Sequence, residues 1–338
     1  MALKPPVEVP QGAIRLNTDS QKLEFYAQDQ WWEMATDVPT LNGGTRGLIN
    51  GGYSPNTSTG TNKIEYITIS TTGNSADFGD LSAARAYTTS CGSRSRGLTL
   101  TGSISPAASD IIDYVTFAST GDATDFGNAS NERSCGAALS NNTRGLTGGG
   151  QASNGTNYNV IDYVTIASTG NSVDFGDIYN TADYLGACQS PTRGIFAGGQ
   201  TPTKLNTIGF VTISTTGNTQ DFGDLTEKRR FLQGVSNSTR GIFGSGATPT
   251  ATTVLDYITI ASTGNATNFG DDLIAREENN AAMSSPTRGV WAGGVVPPAC
   301  RDEISYIAIP TQGNAVDFGN LSAITSSSGG NSNGHGGL

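Results

Sequence analysis

Gly194–Arg240 reads GIFAGGQTPTKLNTIGFVTISTTGNTQDFGDLTEKRRFLQGVSNSTR. The run GIFAGG is a short apolar strand ending in a glycine pair. After a loop, FVTIS alternates apolar and β-branched polar residues, the period-two signal of a half-buried strand. Thr216-Gly217-Asn218 then makes a tight turn, because Gly and Asn tolerate positive φ. A further short strand runs through Asp221-Phe222-Gly223, and FLQGVSN leads into the next Thr-Arg-Gly. The stretch predicts one small sheet of four strands.

The same unit recurs along the chain. A Thr/Ser-Arg-Gly signature falls at Arg46, Arg96, Arg144, Arg193, Arg240 and Arg288. Thr-Gly-Asn/Asp, with Gln for Thr in the last copy, places Gly73, Gly121, Gly170, Gly217, Gly264 and Gly313. Asp/Asn-Phe-Gly places Phe78, Phe126, Phe175, Phe222, Phe269 and Phe318. Successive spacings all lie between 47 and 50 residues, a period that signals a repeat architecture. The stretches before the arginines, such as YTTSCGS, CGAALSN and YLGACQS, are rich in small residues. In a radial array the innermost strands crowd the axis, where small side chains fit.

The unit resembles a kelch repeat: an inner strand, a Gly-Gly strand, an aromatic-led strand and an outer strand. Phe of Asp-Phe-Gly stands where kelch repeats usually carry an outer-strand tryptophan. The resemblance covers residues 45–338 and implies an all-β, six-bladed kelch-like β-propeller of four-stranded blades. Inner strands precede five of the arginines; the sixth is expected from the C-terminal stretch SAITSSSGGNSN, which would close the ring and remove open edges. Residues 1–44 stand outside the repeat as a small β-meander anchor.

Composition agrees with many turns joining short strands. Gly contributes 45 of 338 residues, nearly twice the usual share of about 7%. The net charge of −10 argues against a nucleic-acid surface, which needs clustered Lys and Arg. No stretch is long and apolar enough for a membrane span, and MALKPPVEVP lacks the apolar core of a signal peptide. The sequons at Asn128 and Asn265 then read as turn composition. Four cysteines are too few for a disulfide framework. Cys91 and Cys188 share a repeat slot with Leu139, Val235 and Met283, so cysteine there is read as a small hydrophobe, ahead of a disulfide or a metal site.

The six arginines of Thr/Ser-Arg-Gly admit two readings. They could form a basic ring for an anion, or structural ion pairs with the equally periodic Asp77, Asp125, Asp174, Asp221 and Asp317, the sixth slot being Asn268. The pairing is the expectation here, since both partners recur once per unit. His335 is the one histidine, so a Ser-His-Asp or zinc-type site has almost nothing to draw on. The kinase loops that would accompany a functional Asp-Phe-Gly are absent. No cofactor, metal or catalytic residue is implied, and the chain is expected not to be an enzyme.

Loops between inner and second strands, with the Thr-Gly-Asn turns, would share one nearly uniform face. Loops between second and third strands, and connections to the next blade, would share the other, where the copies diverge. Loops on a rigid scaffold commonly carry recognition, although neutral drift would also diversify them. The candidate recognition residues are Tyr53, Asn56, Arg85, Arg133, Asn157, Tyr158, Tyr179, Lys204, Arg229, Arg230, Arg276 and Arg301.

Before the repeat, GAIRLNTDSQKLEFYAQDQWWEM predicts strands at Ala13–Asn17 and Lys22–Tyr26 with a turn at Thr18–Gln21, then a turn at Gln28–Gln30 into Trp31-Trp32. So small a meander buries too little to stand alone. Its apolar residues Ile14, Leu16, Phe25, Tyr26, Trp31 and Trp32 are the candidate attachment set. Gly12–Trp32 resembles a short module near the start of bacteriophage tail-fibre and other virion proteins: Gly-(Ala/Thr)-Ile-Arg-(Leu/Phe/Tyr)-Asn-Thr, then Lys-Leu/Phe-Glu-x-Tyr, then Trp. With the repeats, the chain is similar to virion structural proteins of tailed, marine cyanophage-like bacteriophages. That resemblance implies a tail-fibre or appendage protein, homo-oligomeric in the particle, bound to other virion proteins through its N-terminal segment. The propeller would be displayed for a host-surface glycan or protein, with weak sites gaining avidity from repetition. Entry into the first blade at Arg46, on the uniform face, would turn the diverse face away from the particle. Two other readings stay open: a structural head or tail adaptor without a receptor role, and a cellular kelch-like scaffold, lectin or hydrolase.

Overall fold

A computed structural model of the chain describes residues 9–17, 22–33, 45–278 and 281–338. The chain divides into two compact units, Met1–Gly43 and Gly44–Leu338. Both are all-β; no helix occurs among the described residues.

In the first unit Ile14–Asn17, Lys22–Ala27 and Gln30–Glu33 form one antiparallel sheet in that order. Gln28 and Asn-like Asp29 both take positive φ (53° and 59°), the geometry of a two-residue hairpin turn. The expected turn at Thr18–Gln21 lies outside the described residues. Cross-strand pairing puts Ile14, Phe25 and Trp32 on one face, with Leu16 two residues from Ile14. The other face carries Arg15, Glu24, Tyr26 and Trp31. There Arg15 pairs with Glu24 at 2.7 Å and lies 4.1 Å over the Trp31 ring, and Tyr26 meets Trp31 edge-on at 5.3 Å.

The second unit is built mainly of four-stranded antiparallel sheets, consistent with the blades of a propeller, with Tyr53–Ser54 added to the first and two small hairpins, Ala247–Thr248 with Thr250–Ala251 and Val295–Val296 with Ala299–Cys300. Sheet 1 joins Gly329–Ser332, Arg46–Asn50, Thr59–Thr68 and Ala76–Arg85. Sheet 2 joins Thr89–Gly92, Arg96–Ile104, Ala107–Thr116 and Thr124–Arg133. Sheet 3 joins Ala137–Ser140, Arg144–Gly148, Val160–Thr165 and Val173–Asp177. Sheet 4 joins Gly186–Gln189, Arg193–Ala197, Thr207–Thr212 and Gln220–Asp224. Sheet 5 joins Gln233–Ser236, Arg240–Gly244, Val254–Thr259 and Thr267–Asp271. Sheet 6 joins Ala281–Ser284, Arg288–Ala292, Glu303–Ala308 and Val316–Asn320. The C-terminal strand pairs Gly330 with Ile49 and Ser332 with Gly47.

Each repeated mark has a task between neighbouring sheets. The amide of the turn glycine donates to the Asp-Phe-Gly carbonyl of the preceding sheet, as Gly121 to Phe78 at 2.7 Å and Gly170 to Phe126 at 2.8 Å. The series ends with Gly73 donating to Phe318 at 2.8 Å, from the first sheet back to the sixth. The neighbouring Asn or Asp side chain accepts a second amide, as Asn171 from Asn128 and Asn74 from Asn320, both at 3.0 Å. The Phe side chains are buried and meet a tyrosine or phenylalanine of their own sheet edge-on, as Tyr163 with Phe175 at 6.0 Å.

The glycine of Thr/Ser-Arg-Gly makes room for the inner strand of the sheet before it. A Cβ on Gly145 would come within 2.6 Å of Cys91 Sγ, and one on Gly194 within 2.6 Å of Leu139 Cδ1. Cys188 packs in the same way on Gly241, Val235 on Gly289, Met283 on Gly47 and Asn331 on Gly97. Cys91, Cys135, Cys188 and Cys300 are free thiols, and burial pushes those of Cys91 and Cys135 up to about 12.

Candidate recognition face

The arginines of Thr/Ser-Arg-Gly do not make the expected ion pairs. Each lies over an aromatic ring of its own sheet, as Arg96 over Tyr114 at 4.7 Å and Arg193 over Phe210 at 4.6 Å. Each donates to carbonyls of the next sheet, Arg193 to Ile260 and Ala261 at 3.0 and 2.9 Å. Arg46 reaches Phe117, Arg96 reaches Ile166, Arg144 reaches Ile213, Arg240 reaches Ile309 and Arg288 reaches Ile69. Asp77, Asp125, Asp174, Asp221 and Asp317 are exposed. An exposed pair gains little in water, whereas a guanidinium stacked on a ring and bonded to carbonyls ties two sheets together.

Four of the expected recognition residues are instead the buried ion pairs. Arg85, Arg133, Arg229 and Arg276 are fully buried between sheets. Arg85 pairs with Asp113 at 2.5 Å, Arg133 with Asp162, Arg229 with Asp256, and Arg276 with Asp272 at 3.0 Å. Their second guanidinium nitrogens donate to paired carbonyls, those of Thr101 and Ile111 for Arg85 and of Gly149 and Val160 for Arg133. A hydroxyl completes each carboxylate: Ser82 for Asp113, Ser130 for Asp162 and Thr226 for Asp256. Burial pulls the guanidinium pKa of Arg85, Arg133 and Arg276 down, and the facing carboxylates oppose this. These arginines leave the candidate face because paired, desolvated charge serves the sheet interfaces.

Two residues beyond each arginine slot the chain turns into the inner strand through a left-handed residue. Tyr87, Cys135, Tyr184, Phe231, Glu278 and Ser327 all have φ between 54° and 63°, a conformation unfavourable for side-chain-bearing residues. Amide-to-carbonyl bonds run from Cys135 to Tyr87, Tyr184 to Cys135, Phe231 to Tyr184 and Tyr87 to Ser327. Tyr184 lies 4.2 Å from Phe231 and 6.3 Å from Tyr87 by ring centroids. This aromatic cluster marks one end of the inner-strand array.

Around it the structure gathers some of the expected residues and several others. Asn157 accepts from Gln151 at 3.0 Å and donates to the Gln200 carbonyl at 3.3 Å. Gln151 also donates to Asp183 at 3.2 Å, and Arg230 donates to the Gln200 side chain at 3.0 Å. Burial pushes Asp183 up to about 6, with Arg230 and the Asn157 hydrogen bond opposing. Burial and Glu278 push Tyr87 up to about 12. The sequence does not single out Asp183, Gln151, Gln200, Tyr87, Tyr184 or Phe231; Tyr87, Asp183, Tyr184 and Phe231 lie one or two residues past the buried arginine slot, and Gln151 and Gln200 directly follow the Gly-Gly pairs. Asn56 and Tyr179 are exposed, and Tyr53, Tyr158, Lys204 and Arg301 are half-buried. Tyr158 packs over Arg133 at 5.6 Å, and the Tyr53 amide donates to Ser326.

The opposite end of the array is occupied by the C-terminal tail. His335 is buried; its Nδ1 accepts from the Gly337 amide at 3.1 Å and faces Gln189 Nε2 at 3.0 Å. Nε2 lies 2.8 Å from the Gly92 carbonyl, so the neutral ring carries its proton there. No group of three or more His, Cys, Asp and Glu side chains able to hold a metal occurs among the described residues. No protein-family model matches the chain, and no curated protein matches it.

Proposed function

We propose that the chain is a virion structural protein of a tailed bacteriophage, an appendage that displays a six-bladed kelch-like β-propeller closed by its C-terminal strand. The separate small sheet carries this reading. Ile14, Leu16, Phe25 and Trp32 are all exposed on it, an apolar stripe on a unit whose order of residues resembles phage tail-fibre modules. Such a stripe calls for a partner, and the reading assigns that role to other virion proteins. The cyclic succession of inter-sheet bonds supports the closed propeller. The polar and aromatic face around Asn157, Arg230, Tyr184 and Tyr87 supports a displayed surface for a glycan or protein, with avidity from repetition.

Mass spectrometry of purified particles tests the assignment. The chain is expected among the particle proteins, and its absence would return it to a cellular scaffold or lectin. Recombinant full-length chain is then added to host cells before infection. Competition supports display for a receptor; particle membership without competition favours the structural adaptor.

A further inference from the structure

The interface between sheets 3 and 4 lacks every member of the buried polar group that recurs elsewhere. Where other interfaces carry arginine, as at Arg133, this one has Ala182; where they carry aspartate, as at Asp162, it has Gly209. The hydroxyl position of Ser82, Ser130 and Thr226 is taken by Tyr179, whose side chain is 75% exposed. The other departures from the pattern are compensated. Ser305 receives Asp272 as a partner for Arg276, and Glu65 is held by Lys63 and Ser322. Between sheets 3 and 4 a cavity of about 420 Å³ opens instead, lined by Ala182, Gly209, Ile178, Leu185, Phe196 and Ile208.

Acceptors at this cavity come from the main chain of Gly198 and Thr207 and from the Asp221 carboxylate, beside the Tyr179, Asn180 and Thr219 side chains, which can donate as well as accept. With Ala182 in the arginine slot, the carbonyls of Gly198 and Thr207 lack the side-chain donor that Gly149 and Val160 receive from Arg133, while Thr207 still accepts from the Gly198 amide at 3.0 Å. The Thr219 hydroxyl, on a lining residue, is buried without a hydrogen-bond partner, a condition that costs free energy in a folded protein. Asp221 lines the cavity and is exposed to solvent. The volume falls in the range of small-molecule sites, whose walls are mostly apolar with a few placed polar groups.

We propose that this cavity is a binding site for a small ligand with an apolar, ring-sized body and a cationic head bearing several N–H donors, the chemistry of an amidine or guanidine. The ring lies against Phe196, Leu185 and Ile178, and the head meets the Gly198 and Thr207 carbonyls on the side of Asp221. The ligand head thus restores the contacts that arginine makes at the other interfaces.

Benzamidine and its anionic isostere benzoate are titrated calorimetrically into the intact chain. Saturable benzamidine binding is expected, with benzoate at least about tenfold weaker. Ala182→Arg combined with Gly209→Asp rebuilds the buried pair and is expected to abolish binding while cooperative thermal unfolding is kept. Should that double variant misfold, Asp221→Asn supplies the second arm, with benzamidine affinity expected to fall several-fold. Absence of saturable binding by the wild type, equal affinity for benzoate, or benzamidine binding unaffected by the folded double variant or by Asp221→Asn would each overturn the proposal.

Discussion

Two arginine series share one period and do different physical work. Arg133 is fully desolvated against Asp162, so Arg133→Ala strands a buried carboxylate and is expected to cost about 3–5 kcal/mol. Arg193 is half-buried over Phe210 with carbonyl acceptors, and Arg193→Ala is expected to cost about 1–2 kcal/mol. Urea denaturation of both variants checks the order, and equal losses would contradict it. His335 adds a pH dependence. Burial lowers its pKa to about 4 from an ordinary 6.5, so the unfolded chain binds the proton more readily. Its contribution is complete above about pH 6.5 and falls by about 3 kcal/mol as the pH drops to about 4. Asp183, raised to about 6, acts in the opposite sense, since it favours the folded state at low pH. Comparing His335→Asn with wild type therefore isolates the histidine: the gap in stability should narrow on acidification from pH 7 to 4. A constant gap would show that the imidazole does not titrate with unfolding.

At the scale of elements, the sheets are docked by backbone as much as by side chains. Gly127 has φ 143°, and a Cβ there would come within 2.6 Å of the Gly170 carbonyl in the next sheet. Gly127→Ala combines backbone strain with a backbone clash and is expected to cost more than about 2 kcal/mol. Gly121 has a similarly positive φ of 153°, but nothing lies within 4 Å of its Cβ position. Gly121→Ala then carries the conformational penalty without the clash and should cost less. A calorimetric Tm series on the two variants separates docking from turn conformation, and a larger loss for Gly121→Ala would count against the docking role. In the small sheet, alternation segregates an exposed stripe of Ile14, Phe25 and Trp32 from a face tied by Arg15, Glu24 and Trp31.

For the molecule as a whole, the strand pattern was legible because each mark has a local cause. Turn glycines, the buried Phe and the Gly after Arg recur wherever one sheet meets the next. The candidate recognition face was legible only in part. Arg85, Arg133, Arg229 and Arg276 precede inner strands just as loop residues do, and composition does not say which way a side chain turns between two sheets. Their partners Asp113, Asp162 and Asp256 sit inside apolar strand runs, the one hint that those carboxylates are buried. The arginines of Thr/Ser-Arg-Gly take main-chain carbonyls and no carboxylate, and the aspartates that are paired form a second series of the same period, facing Arg85, Arg133 and Arg229. The missing group at Ala182, Gly209 and Tyr179 carries no motif; it is visible only against the other interfaces.

The proposed closure of the repeat by its own C-terminal strand is the point on which the architecture rests. Gly329–Ser332 pairs with Arg46–Asn50, so amides 47–50 lie inside a sheet at both edges. Hydrogen–deuterium exchange on the full chain reads this directly. Amides 47–50 are predicted to exchange as slowly as those of Arg96–Leu100, whose strand is flanked on both sides within the second sheet. Rapid exchange across both 47–50 and 329–332, as from an unpaired edge, would contradict the closed arrangement.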